Sequence, residues 1–360
     1  MNKLAENLRI IWAITAKDIV DAIKNKTTLT AIVSVLFMIV FYRLLPLLAS
    51  GEVPALLVYD AGDSALVAAL ENSDAVEVYT YPSQEKMQAY LADGEVPELG
   101  LIIPANFDQT IAAGGTPELQ GYVLHWVSQS DAAELQDYVE ALIAELTGSS
   151  VRIHLDGNVV YPPPDGGGSG VMTAMGIVFA VIMVGISMIP NLMLEEKQTR
   201  TIDALLVSPA GPVHVTVAKA LTGLFYGLSG AAVAMALNSV LIIHWWLVIL
   251  TAILGTLFAV ALGLVLGTLI DTRQQLMLYA WILIAPLMLP PFLSLMEDLL
   301  PAWLIAVFHW IPTVAMFRLL LVSFSNQAEF GLYGSRLALL LVSAILTLAV
   351  VAWLVRRMDR

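Results

Sequence analysis

Glu195-Glu196-Lys197-Gln198-Thr199-Arg200-Thr201-Ile202-Asp203-Ala204-Leu205-Leu206-Val207-Ser208-Pro209 is a charged, helix-capable insert between two apolar runs, residues 171–194 and 215–243. At about 1.5 Å of helix rise per residue, each run covers the roughly 30 Å hydrocarbon core of a bilayer. An insert so placed is either a tether between membrane spans or the surface on which a soluble partner acts. Thr199 or Thr201 can cap a short helix, Ile202, Leu205 and Leu206 fall on one of its faces, and Ser208-Pro209 stops it. A solvated connector has no need of three large aliphatics there, whereas a helix that docks in a partner's groove does.

Composition supports the membrane reading. Of 360 residues, 58% are hydrophobic and 13% charged, against about 45–50% and about 25% in soluble domains. The net charge of −13 argues against a nucleic-acid partner. Cysteine is absent, which removes disulfides, thiolate nucleophiles and cysteine metal sites. The five histidines are scattered without metal-motif spacing, so no metal site is expected.

Working outward from the insert, residues 1–27 read as a basic amphipathic helix in the headgroup plane, with Leu4, Leu8, Ile11, Trp12, Ile19 and Ile23 on one stripe. Residues 28–50 hold a first span (apolar over 28–48), read as an uncleaved anchor because the polar lead is long for a signal peptide and contains Glu6, Asp18 and Asp21. In residues 51–168 short apolar runs alternate with helix-like stretches, the pattern of an α/β domain. That stretch holds nineteen of the thirty acidic residues but only Lys86 and Arg152 of the seventeen basic ones. Basic residues are retained on the cytoplasmic side, so the domain is expected outside. Pro162-Pro163-Pro164 and Gly166-Gly167-Gly168-Ser169-Gly170 form a stiff-then-loose linker back to the membrane.

Residues 169–360 then supply spans two to six: 171–194, 215–243, 247–270, 276–296 and 336–355. Prolines 286, 290 and 291 are expected to break the fifth, and residues 297–334 to form an outer re-entrant hairpin. Gly223 with Gly227, and Gly263 with Gly267, allow close helix–helix approach within the subunit. Lys219 reads as a snorkelling anchor, Asn191 and Asn238 as polar glue between helices, and Glu297, Asp298 and Arg318 as candidates for an outer gate. Six spans place both termini and the loop of residues 195–212 inside. The expected fold is thus an α-helical polytopic membrane protein with an α/β extracytoplasmic domain between helices one and two.

Glu195-Glu196-Lys197, Thr201, Leu205-Leu206, Ser208-Pro209 and then Lys219 resemble the signature of type-2 ABC transporter permeases. Lys17-Asp18 with Lys24-Asn25-Lys26 resembles the family's basic segment before its first helix. The large domain and the phrase Leu101-Ile102-Ile103-Pro104-Ala105-Asn106-Phe107 resemble its sodium- and drug-export branch. Departures are Asp18-Ile19 where many relatives have Glu-Leu, and Gln198 where a glycine-rich step is frequent.

The resemblance implies a half-transporter in the inner or plasma membrane. Two copies, or one copy and a homologue, would each receive an ABC ATPase subunit. Glu195, Glu196, Lys197, Thr201, Ile202, Leu205, Leu206, Ser208 and Pro209 would then couple ATP hydrolysis to efflux. ATP and Mg would sit on the partner, with no cofactor on this chain and no catalysis by it. In keeping with that, the chain has no Gly-Lys dipeptide and hence no P-loop. Two rival readings are a membrane-anchored extracytoplasmic ligand-binding or sensor protein and an ATP-independent secondary transporter. The latter usually carries internal repeats and intramembrane acids, and the spans carry no mid-span carboxylate.

Overall fold

A computed structural model describes residues 3–24, 37, 40, 53–94, 96–165, 168–198, 211–296 and 299–358. The first expected span, apart from Phe37 and Val40, lies outside them. The described chain forms two compact units.

The N-terminal helix is α1 (Lys3–Lys24). The α/β unit that follows comprises β1 (Ala55–Asp60), α2 (Ala65–Glu71), β2 (Glu77–Thr80), α3 (Gln84–Ala92), β3 (Leu99–Ile103) and α4 (Phe107–Ala112). It continues through β4 (Glu118–Leu124), α5 (Gln129–Thr147), β5 (Arg152–His154) and β6 (Val159–Val160). The sheet runs β2-β1-β3-β4-β5, with β6 also on β4. Strand β1 is parallel to β2 and β3, whereas β3 and β4 are antiparallel. Alternation along the strands makes two cores. Leu56, Val58, Leu101 and Ile103 share one with Leu66, Leu70, Val139 and Ile143 from α2 and α5. Leu57 and Leu124 share the other with Met87 and Leu91 of α3.

Since α2 and α3 lie on opposite faces, the carboxyl ends of β1 and β3 form a topological switch point, the usual ligand crevice of such sheets. Here it is filled from within. Asp60 accepts the Gly62 N–H at 2.9 Å and the Ser64 hydroxyl at 2.9 Å, and Asp108 accepts the Ala65 N–H at 3.1 Å. Gly62 lies so close to the Ala105 backbone that a β-carbon would sit 2.7 Å from its Cα.

In the helical unit the second span is continuous: α6 (Gly168–Met183), a π-helical turn over Val184–Met188, and α7 (Ile189–Gln198). Pro190 explains the wide turn. Its missing N–H cannot answer the Ile186 carbonyl and its ring crowds it, so the chain loosens and the Ile189 N–H bonds to the Val184 carbonyl instead. Helix α8 (Pro212–Leu237) ends six residues before the expected limit, where Asn238 turns its side-chain amide onto the Ala234 carbonyl at 3.0 Å and meets Thr173 at 3.3 Å. Helix α9 (Trp245–Leu269) is apolar all round and largely buried, packing against the second span and α8.

Helix α10 (Arg273–Leu293) corrects one expectation, for it runs unbroken through Pro286, Pro290 and Pro291. Helices α11 (Ala302–Phe308) and α12 (Pro312–Phe324) are a pair bent by 84°. Helix α13 (Phe330–Met358) begins six residues earlier than expected, which shortens the hairpin. It packs on α9, with Tyr333 edge-on to Trp246 at 5.2 Å between ring centroids. Among the described residues five helices are long and apolar enough to cross a membrane, or six if the bent pair counts as one span.

Candidate functional site

The charged stretch begins inside a helix rather than after one. Glu195, Glu196 and Lys197 form the last turn of α7. Glu195 is exposed, while Lys197 turns back onto the protein. The Lys197 ammonium donates to the carbonyls of Thr268 at 3.0 Å and Ile270 at 2.9 Å, and to Asp271 Oδ1 at 3.0 Å. Those carbonyls need a donor. Helix α9 ends at Leu269, Ile270 is already extended, and no glycine follows to close the end with a left-handed turn. A cation at the negative end of the helix satisfies them and the helix dipole together.

Thr201, Ile202, Leu205, Leu206, Ser208 and Pro209 lie outside the described residues, as do Glu297 and Asp298. The chain is described again at Gly211, whose N–H donates to His214 Nδ1 at 3.1 Å. Pro212 takes the first position of α8, where a missing N–H costs nothing.

Lys219 is not a snorkelling anchor. It is 1% exposed, and its ammonium lies 2.8 Å from the Asp18 carboxylate of α1. Asp18 Oδ2 makes this ion contact without a well-angled hydrogen bond. On either side the Thr15 hydroxyl reaches the carbonyls of Ile11 at 2.9 Å and Ala218 at 3.4 Å, and the Tyr226 hydroxyl donates to the Ile19 carbonyl. The single apolar stripe expected for α1 is therefore two surfaces: one with Thr15 and Asp18 packs on α8, while Leu8, Trp12 and Val20 are exposed. Asp18 as the partner of Lys219 escaped the sequence reading. The available signal was a carboxylate three residues from a threonine on the inward side of an amphipathic helix.

The four glycines sit where helices touch. A β-carbon on Gly223 would strike Ile189 and Val260, and one on Gly227 would strike Thr256. On Gly263 it would overlap the Gly185 carbonyl, and on Gly267 it would lie 2.7 Å from Met193 Sδ. Arg318 is buried in α12, with its guanidinium on the Ser294 carbonyl at the end of α10. One turn earlier in α12, the Thr313 hydroxyl donates to the Leu287 carbonyl, the group whose helical donor Pro291 lacks. Among the described residues no group of three or more His, Asp or Glu could hold a metal ion.

Several long apolar helices, packed through glycines and closed on one another by buried polar contacts, define a multi-pass helical membrane protein. A family profile described as "ABC-2 family transporter protein" matches residues 26–354. The chain belongs to the ABC-2 transporter family, whose members are membrane permease components of ABC transporters. Such permeases typically work with an ABC ATPase and are generally not catalytic themselves. No curated protein and no solved structure matches the chain.

Proposed function

We propose that this chain is the membrane-spanning subunit of an ATP-driven exporter, working as a pair with a second copy or a homologue. The coupling loop, residues 195–212, is where a separate ATPase subunit docks, and the chain itself binds neither ATP nor Mg. The observation that carries this reading is that the stretch is anchored at its start. Lys197 fixes the α7 side to the end of α9 through three contacts. On the far side Pro212 and His214 cap the start of α8. A slack tether needs neither. Ile202, Leu205 and Leu206 are the apolar contacts with the ATPase, with Thr201, Ser208 and Pro209 part of the same coupling sequence.

The acidic α/β unit is extracytoplasmic, both termini are cytoplasmic, and α1 lies along the inner headgroups with Leu8 and Trp12 toward lipid. Its filled switch point favours a structural part over a ligand sensor. By its resemblance the chain falls in the sodium- and drug-export branch, with an ion, a drug, a lipid or a peptide as the cargo. Glu297, Asp298 and Arg318 form the outer gate.

Changing Ile202, Leu205 and Leu206 together to Asp tests the reading. An ATPase subunit co-purifies with the native chain and is lost from the triple variant, while the variant's yield and melting temperature stay as they were. A complex that survives the change removes the docking role.

A further inference from the structure

We infer that Lys197 is a positioning residue that hands movement of the coupling stretch to the junction of α9 and α10, so that α7 and the inner end of α9 move as one body. The inference rests on the coupling reading above and adds the path by which the load leaves the stretch.

Three contacts at one spacing carry it. Ile189 packs at Gly263, Met193 at Gly267, and Lys197 at Asp271. Each partner advances by four residues, so one ridge of α7 lies along one groove of α9 in parallel register. The two glycines bring the backbones together at the upper rungs, and the ammonium closes the lowest. Lysine has three N–H donors, and here the acceptors are the Thr268 carbonyl, the Ile270 carbonyl and the Asp271 carboxylate. Asp271 is 79% exposed, so the ion pair alone would be weak. The carbonyls are what α9 cannot satisfy by itself.

Above the ladder, α7 is parted from α6 by the π-helical turn at Val184–Met188, a loose link in an otherwise regular span. A push on the coupling stretch therefore meets a compliant segment along its own span and a pinned one sideways. From Asp271 it passes into Thr272, whose hydroxyl accepts the Gln275 N–H at 3.3 Å and so caps α10. The movement is delivered to the start of α10.

The test uses the full chain assembled with its ATPase subunit and compares ATP hydrolysis by the complex with that of the ATPase alone. Lys197→Met is expected to assemble and melt like the native chain, yet lose about tenfold in permease stimulation, the scale of a typical coupling between separate sites. Lys197→Arg, which can still donate to the carbonyls, recovers most of it. A Lys197→Met complex that stimulates like the native one overturns the inference. If Lys197→Met fails to assemble or melts early, the cysteine-free chain permits a second arm. Lys197→Cys with Asp271→Cys, joined by a short bifunctional thiol reagent, restores stimulation if the bracket transmits. Restored melting without restored stimulation shows a merely structural contact and overturns it. If no ATPase assembles even with the native chain, the coupling reading itself falls, and that result is distinct from either.

Discussion

Asp18 and Lys219 are opposite charges held where water hardly reaches, and each makes the other tolerable. Breaking such a pair by removing one partner typically costs about 3–5 kcal/mol, whereas replacing both by apolar groups of similar volume is often neutral. Asp18→Asn is therefore expected to lower the melting temperature of the purified protein sharply, and Asp18→Leu with Lys219→Met to recover much of the loss. Equal losses in single and double variants would show that the pair does not hold α1 to α8. The sequence placed Lys219 correctly near the start of a span but gave it the wrong surroundings. A lysine reaching for headgroups and one reaching for a buried carboxylate look alike when the carboxylate lies 201 positions earlier in the chain. Lys197 was legible as part of a charged turn for a local reason, its neighbours. Its acceptors were not, because two of them are backbone carbonyls, and every residue has one.

Helix α10 runs through three prolines, and at one of them a neighbouring helix compensates. Prolines read in isolation predict a break, since each removes a donor and crowds the preceding turn. At Pro291 α12 supplies what the proline withholds: the Thr313 hydroxyl on the Leu287 carbonyl, with Arg318 on the Ser294 carbonyl at the helix end. Thr313→Val keeps the shape and removes the hydroxyl, and is expected to cost about 1 kcal/mol, the net worth of such a bond. In a Pro291→Ala background the helix regains its own donor, so the same change should cost clearly less. Thermal unfolding of the four chains measures the difference, and strictly additive costs would refute the link. The alternation of strands and helices in the α/β unit was legible from periodicity. Strands β5 and β6 were not, since three and two residues carry no period; what holds them is pairing with β4.

Taken whole, the molecule separates its charge: the α/β unit gathers acid, and the helical unit keeps nearly all the base. Burial raises the carboxyl groups of Asp93 and Glu98 above their ordinary values of 3.8 and 4.5. A folded state that holds a proton more tightly than the unfolded one gains stability as pH falls through the raised value, and the gain is complete at the ordinary one. Residues 53–165 prepared alone should thus gain from these two groups as pH falls toward their ordinary values. Glu98→Gln should melt higher at neutral pH and show a smaller acid gain; an identical pH profile would count against it. The membrane class followed from composition and span length, which are summed properties and tolerate local error. The ends of α8, α10 and α13 did not, because side-chain caps and partner helices decide where a helix stops. Where Gly185 meets Gly263, a β-carbon on Gly263 would lie 2.0 Å from the Gly185 carbonyl oxygen, and the Ile189 side chain is seated beside it. Helices locked by interleaved side chains must jump from one seat to the next. Ile189 holds such a seat beside Gly263, so at this point the second span and α9 keep one setting until the contact is left altogether, as a pawl holds its wheel.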